Sequence, residues 1–224
     1  MRLDYLYGTP FEIYQDEEMF HFNSDTELLG RFIKVSKNDS VLDIGCNNGA
    51  LLLYAGMHGN KRLTGVDIFE KATSLARENL ERNGLEGTFH TCRIQDYEGM
   101  RYDIIMCNPP YFDTRNEDLK NLNPYLRAAR HEEYLSLWDL LSSVKRLLAK
   151  NGTFFMVHRP DRMQEVILQC AKLDMHVCVV KLAYASHLGR AKSILYGIRH
   201  GEGGMKVDSP AYLDDRDSFQ EVRL

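Results

Sequence analysis

Val41-Leu42-Asp43-Ile44-Gly45-Cys46-Asn47-Asn48-Gly49 reads as a short strand running into a glycine-bearing turn, and a helix-like stretch follows from Ala50 to Met57. Glycines in such a turn let the backbone approach a ligand at the helix N-terminus. Asn47 stands between the two glycines, and asparagine tolerates positive φ better than most residues, so the turn can still close. A second unit comes next. Arg62-Leu63-Thr64-Gly65-Val66-Asp67 reads as a strand ending in an acid, with a helical stretch from about Phe69 to Arg82. Ala72, Leu75, Ala76, Asn79 and Leu80 give that stretch its 3.6-residue spacing, and Gly84 suits a C-cap. Asp67 lies twenty-four residues after Asp43, the separation of one βαβ unit. A carboxylate at the end of a second strand is where nucleotide-binding α/β folds hold ribose hydroxyls. A helix N-cap is the alternative role for Asp67.

Farther along, the apolar run 102–107 leads into Asn108-Pro109-Pro110-Tyr111. An Asn side-chain carbonyl and the backbone carbonyl beside it can accept both N–H bonds of a planar amine. Such a clamp holds the nitrogen in place and stabilises the positive charge that grows as a new C–N bond forms. The prolines fix φ and remove competing backbone donors. Tyr111 offers a face on which a flat, extruded base can stack. Those are the demands of moving a methyl group onto a poorly nucleophilic nitrogen. A Pro-stiffened turn after a strand is the plainer reading of the same tetrapeptide. The order of glycine loop, acid and Asn-Pro-Pro-Tyr strand end favours the chemical one.

The surrounding pattern alternates strands and helices. Strands are predicted near 40–44, 61–67, 87–92, 102–107 and 152–158, and helices near 49–57, 69–83, 131–149 and 160–173. Ahead of them, residues 23–36 read as an amphipathic helix with Ser24 and Glu27 as a capping box. In the 131–149 helix, Tyr134, Leu137, Trp138, Leu141, Val144 and Leu148 fall at core spacing. The strands at 175–183 and 192–199 are too close for a helical crossover and should pair as a hairpin. The expectation is an α/β fold: a Rossmann-like, mostly parallel seven-stranded sheet with an antiparallel C-terminal hairpin and helices on both faces. Residues 1–22 form an N-terminal extension, 23–200 the main domain, and 201–224 a tail that runs along an edge or lacks order. Ligands in such sheets bind beyond the carboxyl ends of the strands, where Asp43, Asp67 and Asn108 fall.

With 224 residues, 44% hydrophobic and 27% charged, the composition is that of an ordinary globular chain. No apolar run is long enough to span a bilayer and no signal-peptide pattern opens the chain, so the expectation is a cytoplasmic protein with no membrane partner. The five cysteines show no metal-ligand spacing, and no metal is expected. Net charge is −4, but residues 145–206 hold eleven Lys and Arg against four Asp and Glu. That asymmetry suits one face meeting phosphates, and solvated helix faces would give it too. The polar stretch 112–130 is long for a loop in a compact domain, and Arg115, Lys120, Arg127 and Arg130 offer it phosphate contacts.

The loop at Asp43, Gly45 and Gly49 resembles the first motif of class I S-adenosylmethionine-dependent methyltransferases, with Asn47 where a glycine is usual. The chain as a whole resembles the group, in its Gram-positive version, that methylates N6 of adenine beside the anticodon of valine tRNA. That likeness spans roughly residues 20–200. It rests further on Asn23-Ser24-Asp25-Thr26-Glu27-Leu28-Leu29, on Ala129-Arg130-His131-Glu132 and on Met156-Val157-His158-Arg159-Pro160. Asn47 and the ending Arg199-His200-Gly201-Glu202 depart from the group. The resemblance implies S-adenosyl-L-methionine as cofactor and tRNA as partner. It implies that Asp43, Gly45, Cys46 and Gly49 surround the cofactor's methionine, that Asp67 holds its ribose, and that Asp96 accepts from its adenine amine unless it is simply a turn-former. Asn108, beside the cofactor, and the Pro109 carbonyl hold the target nitrogen while Tyr111 stacks on the base. Pro110, Phe112 and Arg130 fall on the substrate side. His158 and Arg159 either meet RNA backbone or start a helix before Pro160. The rival enzyme methylates a protein glutamine at N5, although only forty residues precede Val41, too few for that group's helical module. A cofactor-binding RNA-binding protein without turnover is the rival of another class.

Overall fold

The computed structural model describes residues 1–110, 125, 134–187 and 189–214. A hairpin of β1 (Arg2–Tyr5) and β2 (Glu12–Gln15) opens the chain, followed by α1 (Ser24–Phe32). The alternating part runs β3 (Val41–Ile44), α2 (Ala50–Gly56), β4 (Leu63–Asp67), α3 (Glu70–Arg82), β5 (Gly87–Thr91) and β6 (Tyr102–Cys107). Then come α4 (Leu137–Leu147), β7 (Leu148–His158), α5 (Met163–Lys172), the long pair β8 (Met175–Tyr184) and β9 (Ala191–His200), and the two-residue strands β10 (Lys206–Val207) and β11 (Ala211–Tyr212).

The main sheet is ordered β10-β8-β9-β7-β6-β3-β4-β5, with β11 also pairing with β8. Only β9 runs against the rest. The seven expected strands are all present, and the hairpin pairs as the short connection required. The tail supplies the two extra strands, each parallel to β8, so as far as residue 214 it is an extended edge. Side chains alternate across the sheet. Ile104, Met106, Phe155, Val157 and Leu195 face the core shared with α1 and α2. Ile105, Cys107, Phe154, Met156 and Tyr196 face the core shared with α4 and α5. Burial on both faces explains why the central strands read as near-continuous apolar runs.

Three local features differ from the sequence reading. The cap of α1 is Asn23, whose Oδ1 accepts the backbone N–H of Asp25 (2.9 Å) and of Thr26 (3.1 Å). Ser24 is therefore inside the helix, and the Ser24/Glu27 box does not form. Helix α4 starts at Leu137 behind a Ser136 cap; its buried stripe runs through Leu137, Leu140, Leu141, Val144 and Leu147, and Trp138, at the margin of that stripe, is 44% exposed instead of in the core. The N-terminal hairpin is docked on α3 by two asparagines. Asn83 bonds both the N–H and the C=O of Glu12, and Asn79 does the same for Tyr14. Residues 12 and 14 lie on one face of a strand, and 79 and 83 lie one helical turn apart, so the two periodicities meet.

Candidate active site

The parallel strands β6, β3 and β4 lie side by side, with Asp43 in register with Met106 on one side and Gly65 on the other. From β3 the chain builds outward through β4 and β5, then returns to add β6 on the opposite side. The strand order therefore reverses at β3 and β6, which opens a crevice at their carboxyl ends. A cavity of about 500 Å³ lies there, lined among others by Asp43, Asp67, Asn108, Pro109 and Pro110. Its volume falls within the roughly 300–1,000 Å³ typical of small-molecule sites.

The glycine turn forms one wall. Gly45 and Asn47 both take positive φ, at 72° and 46°, so asparagine does occupy the left-handed region where a third glycine is usual. Two bonds hold it there: the Asn47 N–H donates to Asp67 Oδ2 at 3.0 Å, and its Nδ2 donates to the Phe20 carbonyl at 2.6 Å. Gly49 is at φ 81° and caps α2; a Cβ there would lie 3.2 Å from the Ala76 backbone. It shapes the turn from behind and is outside the lining, whereas Gly45, Cys46, Asn47 and Asn48 are part of it.

The carboxylates differ in their partners. Asp67 Oδ1 accepts from Phe69 N–H at 3.1 Å, so this residue ties the start of α3 to the glycine turn while lining the cavity. Burial raises its pKa against the pull of those backbone donors. Asp43 is 1% exposed, and its Oδ1 has no hydrogen-bond partner among the described residues. Burial, and then the nearby Asp67 charge, push its carboxyl well above the ordinary range. Asn48 Nδ2, in the same loop, is likewise without a partner among the described residues. A buried acceptor and a buried donor left over in one cavity wall match a ligand carrying both an ammonium and a carboxylate.

Across the cavity, the Asn108 Nδ2 donates to Thr26 Oγ1 at 3.1 Å. Pro109 is buried and Pro110 half-buried. The structure also brings in residues that sequence reasoning passed over. Met19, Phe20 and Phe22, from the supposed extension, form a wall, and Asn23, Asp25 and Thr26 at the start of α1 line it too. Phe69, Gln95, Tyr125, Tyr134 and Leu135 complete it, with the Tyr125 ring 4.6 Å from that of Phe69. The aromatic alternation Phe20-His21-Phe22 directly before a helix cap was the signal available.

Other expected site residues fall elsewhere. Asp96 is exposed in a turn closed by its N–H to the Arg93 carbonyl; its neighbours Ile94 and Gln95 line the cavity and Asp96 does not. The turn-former reading fits it. His158 is 1% exposed and its Nδ1 accepts from Arg159 N–H at 2.8 Å, a position closed to RNA backbone. Arg159 is at the surface and pairs with Asp161 at 3.0 Å, ahead of the turn that starts α5. Tyr111, Phe112, Arg130, the loop arginines and lysine, and the Ala129–Glu132 motif lie outside the described residues. Among the described residues no cluster suited to a metal ion occurs, and no helix is long and apolar enough to cross a membrane.

Sheet order, switch-point cavity and paired acids together define a class I methyltransferase architecture. The family model described as a methyltransferase domain matches residues 35–201, and the chain belongs to that family. The tRNA1(Val) (adenine(37)-N6)-methyltransferase of Aeromonas salmonicida is 32% identical, over 75% of this chain and 72% of its own length. The protein of that name from Trichodesmium erythraeum is 30% identical, over 66% of this chain and 64% of its own. Among solved structures, the T. thermophilus 16S rRNA N2 G1207 methyltransferase, in complex with AdoMet and guanosine, superposes with a TM-score of 0.59. It is 16% identical, with 90% of this chain and 50% of that chain covered, a likeness of fold alone.

Proposed function

We propose that this protein transfers a methyl group from S-adenosyl-L-methionine to N6 of an adenine in tRNA, in the anticodon region of valine tRNA. The observation that carries this reading is Asn108 facing one cavity with Asp43 and Asp67. The relatives named for that reaction support the choice of acceptor. When bound, S-adenosylmethionine supplies a methyl group made electrophilic by its sulfonium.

The chain's own residues do the rest. Asp43 Oδ1 receives the cofactor's ammonium and Asn48 Nδ2 its carboxylate, which satisfies both orphaned groups. Asp67 has lone pairs left beyond its two backbone bonds, enough to accept from ribose hydroxyls. Gln95 and Ile94 take the adenine side in place of Asp96. The side-chain oxygen of Asn108 and the Pro109 carbonyl accept the two N6–H bonds of the target base. As the nitrogen lone pair would take the methyl, the S–CH3 bond would break to leave a neutral thioether, N6 would become positive and those two oxygens would stabilise it; the proton would then pass to water. No base is needed before attack, and catalysis comes from position and charge complementarity. Pro110 lines the cavity and borders the base's entrance; the stacking expected of Tyr111 and the substrate contacts expected of Phe112 and Arg130 fall outside the described residues.

The test is the fate of labelled methyl from S-adenosylmethionine offered to bulk tRNA and to protein extract. Label in tRNA, recovered as N6-methyladenosine, is expected. Label in protein glutamine instead, or cofactor binding with no transfer to either, would overturn the reading.

A further inference from the structure

We propose that Thr26 is a positioning residue for Asn108, fixing which end of its amide faces the acceptor nitrogen; this rests on the role proposed for Asn108. Asparagine oxygen and nitrogen are nearly isosteric, and a flipped amide would point a donor at the incoming NH2 and repel it. Something must therefore set the orientation, and the first turn of α1 does so through a chain of polarity. Asn23 Oδ1 takes two backbone N–H groups, so that atom is fixed as an acceptor. The Thr26 hydroxyl lies 3.5 Å from the same oxygen, a long contact whose acceptor end can only attract the hydroxyl proton. A proton drawn toward that oxygen leaves Thr26 Oγ1 lone pairs facing Asn108, and the NH2 end of that amide meets them at 3.1 Å. The Asn108 oxygen is thereby assigned to the other end of the group.

The turn that carries Thr26 is itself held to the sheet. Ser193 Oγ, on β9, donates to Asp25 Oδ1 at 2.6 Å, and Lys192 Nζ donates to Ser24 Oγ at 2.8 Å. Thr26 is 6% exposed, so water does not readily replace it as the amide's partner.

The experiment compares T26V and T26S with the unsubstituted chain. Valine keeps the shape and leaves both Asn23 cap bonds in place, so α1 should still form. For T26V, kcat should fall by about 10- to 100-fold, the range set by losing one bond that holds a reacting geometry, while KM for tRNA and S-adenosylhomocysteine affinity change little. T26S should restore kcat. Independently of turnover, the Asn108 side-chain NH2 should show hydrogen-exchange protection by NMR that T26V loses and T26S keeps. Unchanged kcat and protection in T26V would overturn the proposal, as would equal losses in kcat, KM and affinity in both variants. If the unsubstituted chain transfers no methyl to tRNA, the proposed function fails, and the NMR comparison still decides the role of Thr26.

Discussion

Asp43 has a carboxyl that burial and a like-charged neighbour push above its ordinary range, in a cavity whose proposed ligand carries an ammonium group. The sign of the linkage follows. Because its folded pKa exceeds the unfolded value, Asp43 favours the fold at low pH, and that contribution is lost as pH rises toward the folded pKa. A cation bound beside it favours the ionised form, so cofactor binding should release a proton and tighten as pH rises through that range. Calorimetry in buffers of different ionisation enthalpy measures the release; no net proton exchange in that interval would argue against an ammonium at Asp43. His158 behaves in the opposite way. Its pKa is held down to about 4, chiefly by burial and then by Arg162, so the folded state disfavours its charged form. Stability should fall as pH drops from the usual histidine range toward 4, by on the order of 3 kcal/mol. H158N should flatten that part of the stability–pH curve measured by denaturant titration. An unchanged slope would show that acid destabilisation arises elsewhere.

At the scale of elements, α1 and α3 shape the site from outside the sheet. Asn79 is fully buried and bonds the Tyr14 backbone on β2 as well as the Asn48 carbonyl in the glycine turn. One side chain therefore joins the N-terminal hairpin to the cofactor wall. Asn79→Ala leaves buried backbone groups unpaired and should cost about 1–3 kcal/mol in chemical denaturation. It should weaken cofactor binding as well, whereas a stability loss with unchanged affinity would place the hairpin outside the site's support. Gly30 permits another close approach, since a Cβ there would run into the Tyr54 ring on α2. Gly30→Ala should therefore separate α1 from α2 and lower the melting temperature; a value equal to that of the unsubstituted protein would mean the interface can shift freely. These elements also show what the sequence conceals. Periodicity located α3 and the capping region of α1, but Asn23 and Ser24 are both good caps, and only the observed bonds distinguish them. Trp138 lies three residues before the buried Leu141 and so had core spacing, but the buried stripe is centred on Leu137, Leu140 and Val144 and leaves it at the margin.

Across the whole molecule, the order of elements was legible because strands buried on both faces leave apolar runs that short helices and glycines punctuate. The placement of Asp43, Asp67 and Asn108 at one crevice followed from that order, since all three end parallel strands around the switch point. The cavity's other side was not legible. Met19, Phe20 and Phe22 reach the site from before the first strand of the main sheet, through a hairpin docked by asparagines far along the chain. Neither strand of that hairpin belongs to the main sheet's alternating pattern. Asp96 matched a motif by position, while the turn at 93–96 directs its neighbours Ile94 and Gln95 into the cavity lining. The central claim, that Asn108 clamps an adenine N6 in a cavity shared with those acids, is tested most directly by nucleoside mass spectrometry of tRNA under single turnover, for the unsubstituted chain and N108A. The prediction is N6-methyladenosine formed about 10²–10³-fold more slowly by N108A, with S-adenosylhomocysteine affinity unchanged. Equal rates, or no N6-methyladenosine from the unsubstituted chain, would contradict it.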